Sequence, residues 1–176
     1  TSGSITVGNS TSDITSITVN GNGTVTAFYR AKQYTITFNQ IEVGDDFALG
    51  TVVTVAGTNY CRGDLPKDFL WDEGSTHTFA FQSPLVAAPN AKQYVWTATT
   101  GGLSTLQSGT ILVSGSGNVT GTYKTQYKLT ISTNPSGLSP APSASPNSSD
   151  GYYDTGTTVT LIGNPVSEYT FNYWSV

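Results

Sequence analysis

Gln126-Tyr127-Lys128-Leu129-Thr130-Ile131 repeats Gln33-Tyr34-Thr35-Ile36-Thr37-Phe38. The pair decides both the fold class and the organisation of the chain. Each stretch alternates polar and apolar residues with a period of two and favours Thr, Ile, Tyr and Phe, the pattern of a half-buried strand. The same alternation recurs in 51–56, 76–81, 94–98, 110–113 and 157–162. Gly, Pro, Asn and Ser separate these runs at the spacing of a sandwich or barrel.

The copies extend well past their first strands. Asp72-Glu73-Gly74-Ser75-Thr76-His77-Thr78-Phe79 corresponds to Asp154-Thr155-Gly156-Thr157-Thr158-Val159-Thr160-Leu161. An aromatic strand follows in both, Tyr94-Val95-Trp96 in the first and Tyr169-Thr170-Phe171-Asn172-Tyr173-Trp174 in the second. The first copy continues through Thr110-Ile111-Leu112-Val113, a Ser/Gly turn, and Gly117-Asn118-Val119-Thr120-Gly121-Thr122-Tyr123-Lys124. After Trp174 the second has Ser175 and Val176. The counterpart of its remaining strands is Ile14-Thr15-Ser16-Ile17-Thr18-Val19, a turn, and residues 21–30, which lead into Gln33-Tyr34 as Tyr123-Lys124 leads into Gln126-Tyr127.

The expected fold is therefore all-β, with two β-sandwich modules of an immunoglobulin-like or pilin-like kind. The modules are placed at 31–124 and 125–176, and residues 1–30 stand apart as an N-terminal strand or tail. The second module is short of strands, since such sandwiches need about seven. A sheet lacking a strand exposes unpaired backbone groups and the floor of an apolar groove. The expected filler carries Ile5, Val7, Ile14, Ile17 and Val19 as apolar pegs, each worth about 1.5–3 kcal/mol when fully buried. Strand addition of this kind completes one chain with a segment of another. Two closures are open: residues 1–29 fold back onto their own molecule, or each N-terminus completes a neighbour and produces a head-to-tail polymer.

Composition narrows the function classes. Charged residues are 10% of the chain, far below the usual quarter of a soluble protein. With net charge -4 there is no basic patch for nucleic acid, and no apolar run reaches bilayer-spanning length. Sparse charge also suits an acidic habitat, where carboxylates near pH 3 are largely protonated. The sequence opens at Thr1 with neither Met nor an apolar leader, read as the start of a processed chain. Cys61 stands alone, so no internal disulfide is possible, and its expected role is that of a small buried hydrophobe. N-glycosylation sequons occur at Asn9, Asn22, Asn118 and Asn147, with a weaker Asn59-Tyr60-Cys61 variant. The four fall at expected turns or strand ends, where a sugar is accommodated.

Two segments break the strand pattern. Residues 65–72, with Pro66 early and Gly74 beyond, are the one helix candidate, expected as a single turn. Residues 135–150 are Pro- and Ser-rich and are expected as a long exposed loop.

Catalysis has little to work with. His77 is the one histidine, and its alternation with Phe79 and Phe81 gives it a structural place on a strand rather than a general-base role. Asp45-Asp46 and the group Asp64, Asp68, Asp72 and Glu73 match no calcium-loop spacing, and Arg62-Gly63-Asp64 reads as a loop coincidence. No enzyme activity, metal or cofactor is expected.

A hydroxyl-rich, sequon-bearing all-β chain with a free N-terminal strand and an incomplete C-terminal module resembles the donor-strand-complemented pilins. More narrowly, it is similar to the subunits of archaeal threads, the glycosylated cell-surface filaments of Sulfolobus. The strings Gly-Thr-Thr-Val-Thr-Leu at 156–161 and Tyr-Thr-Phe-Asn-Tyr-Trp at 169–174 also resemble repeats of archaeal surface proteins. The resemblance implies an extracellular head-to-tail homopolymer bearing N-linked sugars and serving adhesion or biofilm formation. It departs from bacterial pilins in lacking a disulfide within the subunit. The alternative from another class is a monomeric carbohydrate-binding or adhesin module, with Tyr152, Tyr153, Tyr173 and Trp174 stacking on sugar rings.

Overall fold

A computed structural model describes residues 5–87 and 89–176. The chain divides into two units, Thr1–Ala31 and Lys32–Val176. In the first, β1 (Ile5–Val7) and β2 (Ile17–Val19) form an antiparallel two-stranded sheet. Ile5 lies opposite Val19 and Val7 opposite Ile17, with Thr6 opposite Thr18 between them. Because side chains alternate across a strand, the four aliphatics share one face of this ribbon. None of its described residues is buried.

The second unit contains β3 (Gln33–Ile41), β4 (Thr51–Val55), β5 (Thr58–Cys61), β6 (Lys67–Asp72), β7 (Thr76–Phe81), β8 (Leu85–Ala87), β9 (Lys92–Thr100), β10 (Ser108–Leu112), β11 (Gly117–Lys128), β12 (Ser143–Ser145), β13 (Tyr152–Asp154) and β14 (Thr160–Ile162). One sheet runs β10-β7-β4-β5, and the larger runs β6-β3-β11-β9-β8 with β13 also paired to β11. The architecture is all-β and sandwich-like, as the alternation requires. Ile36, Phe38, Tyr94, Val119 and Tyr123 of the larger sheet share one core cluster with Val53, Val55, Phe79, Phe81 and Ile111 of the other. Both Val52 and Val53 are buried, consistent with a register shift between Thr51 and Val53 that breaks the strict alternation.

β11 holds the large sheet together. Its first half pairs in parallel with β3, Gly117 opposite Ile36 through Thr122 opposite Ile41. Its other edge pairs antiparallel with β9, and its last three residues, Gln126 to Lys128, also pair with β13. The module boundary expected at 124/125 falls inside this continuous strand.

The two exceptions to the strand pattern are corrected. Residues 65–72 do not form a helical turn: a 3-10 turn at Arg62–Asp64 precedes β6. Phe69 and Trp71 both pack on Phe38, with ring centroids 5.7 and 6.2 Å away. Side chains two residues apart face one way on a strand and not on a helix. The Pro-rich stretch 135–150 likewise is not wholly loop, since Ser143–Ser145 is drawn into β12 by pairing with β14.

Candidate functional site

The repeat is reproduced in three dimensions, side chain by side chain. Gln33 pairs with Asp72 across β3–β6, and Gln126 pairs with Asp154 across β11–β13. In each pair the glutamine amide donates to the aspartate, at 2.8 and 2.7 Å. Glu73 N donates to Lys32 O at 2.8 Å, and Thr155 N to Thr125 O at 3.1 Å. Both strands then turn identically, with Ser75 N bonded to Asp72 O and Thr157 N to Asp154 O. The turns use Gly74 at φ 80° and Gly156 at φ 82°, a left-handed conformation that glycine adopts without steric cost. Further along, β4–β7 and β12–β14 keep the same relation: Val55 is opposite Phe79, and Ala144 is opposite Leu161, the counterpart of Phe79.

What differs is the interior. Every residue of the core cluster lies between Ile36 and Tyr123, and among the described residues none after Tyr123 is buried. Residues 129–133 continue the line of β11 with alternating half-buried and exposed side chains, Leu129, Ile131 and Thr133 being the half-buried ones. Leu129 N donates to Gly151 O at 2.9 Å. Beyond it, no strand partner is assigned to Thr130, Ile131, Ser132 or Thr133 among the described residues. In the first copy the matching edge of β3 is covered by β11, which supplies Val119 and Tyr123 to the core. A shallow groove of about 380 Å³ lies here, lined in part by Tyr127, Leu129, Val159 and Leu161. Further along, Tyr169, Phe171, Tyr173 and Trp174 are exposed.

The expected donor residues lie in the first unit. Ile5, Val7, Ile17 and Val19 share the apolar face of the β1–β2 ribbon, while Ile14 sits outside both strands and is 84% exposed. Asn9, Asn22, Asn118 and Asn147 are all exposed. Asn9 accepts from the Thr11 amide and hydroxyl at 3.0 and 2.9 Å, an Asx-type turn. Asn118 is the second residue of β11.

The titratable groups are tied into the fold. His77 stacks on Trp71 with centroids 3.7 Å apart and the rings 9° from parallel. Its Nε2 lies 2.9 Å from Ser75 Oγ. The Ser75 hydroxyl donates to Asp72 O at 2.6 Å, so its one proton is committed and it receives the imidazole N–H, the reverse of a serine activated by a base. Arg62 pairs with Asp45 and donates to Val43 O at 2.6 Å, while Asp64 accepts the Cys61 amide at 2.8 Å. The Arg-Gly-Asp tripeptide is thus engaged internally. Cys61 is half-buried, with Sγ 3.5 Å from Leu49 O. Asp46 pairs with Lys92 at 3.2 Å and accepts from the buried Tyr94 hydroxyl. That hydroxyl, chiefly, holds the Asp46 carboxyl below its ordinary value. Among the described residues there is no cluster of three metal-ligating side chains, and no helix is long and apolar enough to cross a membrane.

The aromatic residues named for a sugar platform are divided. The Tyr152 hydroxyl donates to Asn90 O of the first module at 2.7 Å and the Tyr153 hydroxyl to Pro146 O of its own module at 3.1 Å, so both hydroxyls are engaged by backbone carbonyls. Trp174 lies 5.3 Å from Phe171 at 52°. No protein-family model, curated protein or solved structure matches this chain.

Proposed function

We propose that this chain is the structural subunit of an extracellular filament, polymerising head to tail by strand donation: the N-terminal unit of one molecule completes the second module of the next. One observation carries the reading. Residues 124–176 repeat the strand pairing, the turn and the side-chain bonds of a module that has a core, yet not one of their residues is buried. A sandwich with an open edge and an uncovered interior is stable only once filled. The N-terminal unit supplies apolar strands in which likewise no residue is fully buried.

A heterologous contact of this kind propagates without limit unless its rotation closes a ring. Sequon asparagines that are all exposed and a surface poor in charge suit a glycosylated filament outside the cell, in adhesion or biofilm formation. The test is the mass of the full-length chain by sedimentation and electron microscopy, beside a variant lacking residues 1–30. Filaments from the first and monomers from the second are the expected result. A full-length chain that stays monomeric at high concentration overturns the reading in favour of a monomeric surface module.

A further inference from the structure

Within the first module, β10 and β11 are consecutive strands that lie one in each sheet, and the segment that carries them reads Ile111-Leu112-Val113-Ser114-Gly115-Ser116-Gly117-Asn118-Val119-Thr120-Gly121-Thr122-Tyr123-Lys124. Set against it without a gap, the N-terminal unit reads Ile17-Thr18-Val19-Asn20-Gly21-Asn22-Gly23-Thr24-Val25-Thr26-Ala27-Phe28-Tyr29-Arg30. The matching pattern is specific. Ile111, Val113, Val119 and Tyr123 are the four apolar residues this segment sends into the core, each no more than 3% exposed. Their counterparts Ile17, Val19, Val25 and Tyr29 are identical in type, and they are 46, 62, 52 and 93% exposed. A strand–turn–strand segment with the side chains of two core strands and no core to enter is matched to a module with a slot and no such segment.

We infer that residues 17–30 insert into the second module of another molecule in the place that β10 and β11 take in the first, one strand in each sheet, with residues 23–28 lying parallel to residues 129–134. This rests on the filament reading above and fixes its register. Gly117 opposite Ile36, Val119 opposite Phe38 and Thr120 opposite Asn39 translate into Gly23 opposite Leu129, Val25 opposite Ile131 and Thr26 opposite Ser132. On the facing sheet, Ile111 opposite His77 becomes Ile17 opposite Val159. The bonds from Gly74 N to Val113 O and from Val113 N to Ser75 O supply partners for Gly156 N and Thr157 O through Val19. β10 is an edge strand of its sheet, so β2 in that position keeps its other edge for β1.

Side-chain size agrees with the register. In the first module a Cβ on Gly121 would meet the Phe81 ring at 2.6 Å, so glycine there makes room for phenylalanine. In the second, Ala27 stands for Gly121 and Gly163 for Phe81: bulk is exchanged across the interface rather than added on both sides.

Chain length decides whose slot is filled. Gln33 precedes Ile36, which lies beside Gly117 at the start of the 12-residue strand β11. At about 3.3 Å per residue, the slot past Lys128 begins roughly 30 Å further along, even allowing for the bulge in β11. The parallel register puts the end of the inserted strand at the far side of that slot, beside Asn134. Arg30 is tied to Gln33 by three Cα steps, a reach of about 11 Å. No molecule can therefore fill its own slot, and the joint between molecules copies the joint between modules, with Ala31-Lys32 where Thr125 stands.

The experiment places cysteines on the outer face of the joint in the full-length chain, Thr26→Cys with Ser132→Cys in a Cys61→Ser background, followed by mild oxidation and denaturing electrophoresis. A covalent ladder is expected. The pair Thr26→Cys with Thr130→Cys, two residues out of register and beyond disulfide reach, is expected to give none. The two single-cysteine chains, mixed, are expected to link as dimers only. A monomer carrying an internal disulfide overturns the ownership argument. Filaments that link through Thr130 or through neither pair overturn the register and leave the filament reading standing. Chains that never polymerise overturn both.

Discussion

The Gln126 side chain donates to the Asp154 carboxylate at 2.7 Å, locking the last three residues of β11 to β13 in the same way that Gln33 locks β3 to β6. Lys124 Nζ adds a contact at 2.8 Å to each carboxylate oxygen of Asp154. The Lys124 bond first, and then the Gln126 bond, hold the Asp154 pKa below its ordinary value of 3.8. A carboxyl whose folded pKa is depressed contributes stability above its unfolded pKa and loses it as pH falls through the folded one. Asp154→Asn is therefore expected to loosen the β11–β13 pairing at pH 6, and its difference from the parent is expected to vanish as pH falls through the folded pKa of Asp154. Carbon-detected titration of Asp154, with a midpoint below 3.8, and amide exchange at Leu129 and Thr155, whose N–H groups bond Gly151 O and Thr125 O, check the window. Both partners are about half exposed, so the effect is small and falls with added salt.

The two glycine turns give a matched pair of substitutions. Neither Gly74 nor Gly156 has an atom within 4 Å of where a Cβ would stand, and both hold φ near 80°. Alanine therefore meets no neighbour and is penalised through backbone conformation alone, by about 1–2 kcal/mol. Gly74→Ala is expected to lower the denaturant midpoint of the first module. Gly156→Ala is expected to leave that midpoint unchanged and to act on the second module.

Tyr123 ties the central strand to the facing sheet, its hydroxyl lying 3.0 Å from Gln82 O and 3.3 Å from Val52 O. Burial pushes its pKa well up, so the group stays a neutral donor at any ordinary pH. Tyr123→Phe removes that donor while keeping the ring. Urea denaturation is expected to register a loss of about 1–2 kcal/mol.

The strands and the repeat were legible because alternation and turn chemistry are local properties. Gln33-Tyr34 and Gln126-Tyr127 announced equivalent strands, and the Asp-x-Gly motifs at 72–74 and 154–156 announced equivalent turns. Phe69 and Trp71 were misread because Pro66 suggested a helix start, whereas the Phe38 ring across the sheet sets their conformation. Ser143–Ser145 was lost inside a proline-rich run, since its strand character comes from β14 and not from its own composition. Val25 and Tyr29 lay within a segment recognised as a counterpart of β11, but their weight shows only when the burial of Val119 and Tyr123 is known. Ile14, conspicuous in sequence as an apolar residue, belongs to neither strand of its ribbon.

Val25 offers the sharpest separation of folding from assembly. Its counterpart Val119 is fully buried, whereas Val25 lies in a unit that contributes nothing to the core cluster of 36–123. Val25→Asp is therefore expected to leave the thermal unfolding of the first module unchanged. In the proposed slot the same aspartate must enter an apolar interior beside Ile131, a cost of several kcal/mol on top of about 1.5–3 kcal/mol of lost aliphatic burial. A penalty of about 4 kcal/mol weakens a contact roughly a thousandfold, enough to shift polymer to monomer at micromolar concentration. Thr26→Asp, one residue on and facing solvent in the same register, is the control and is expected to polymerise normally. Sedimentation of the two variants beside circular-dichroism melts distinguishes the cases. Equal polymerisation of both removes Val25 from the joint, and loss of polymer in both reverses the assigned face of the strand.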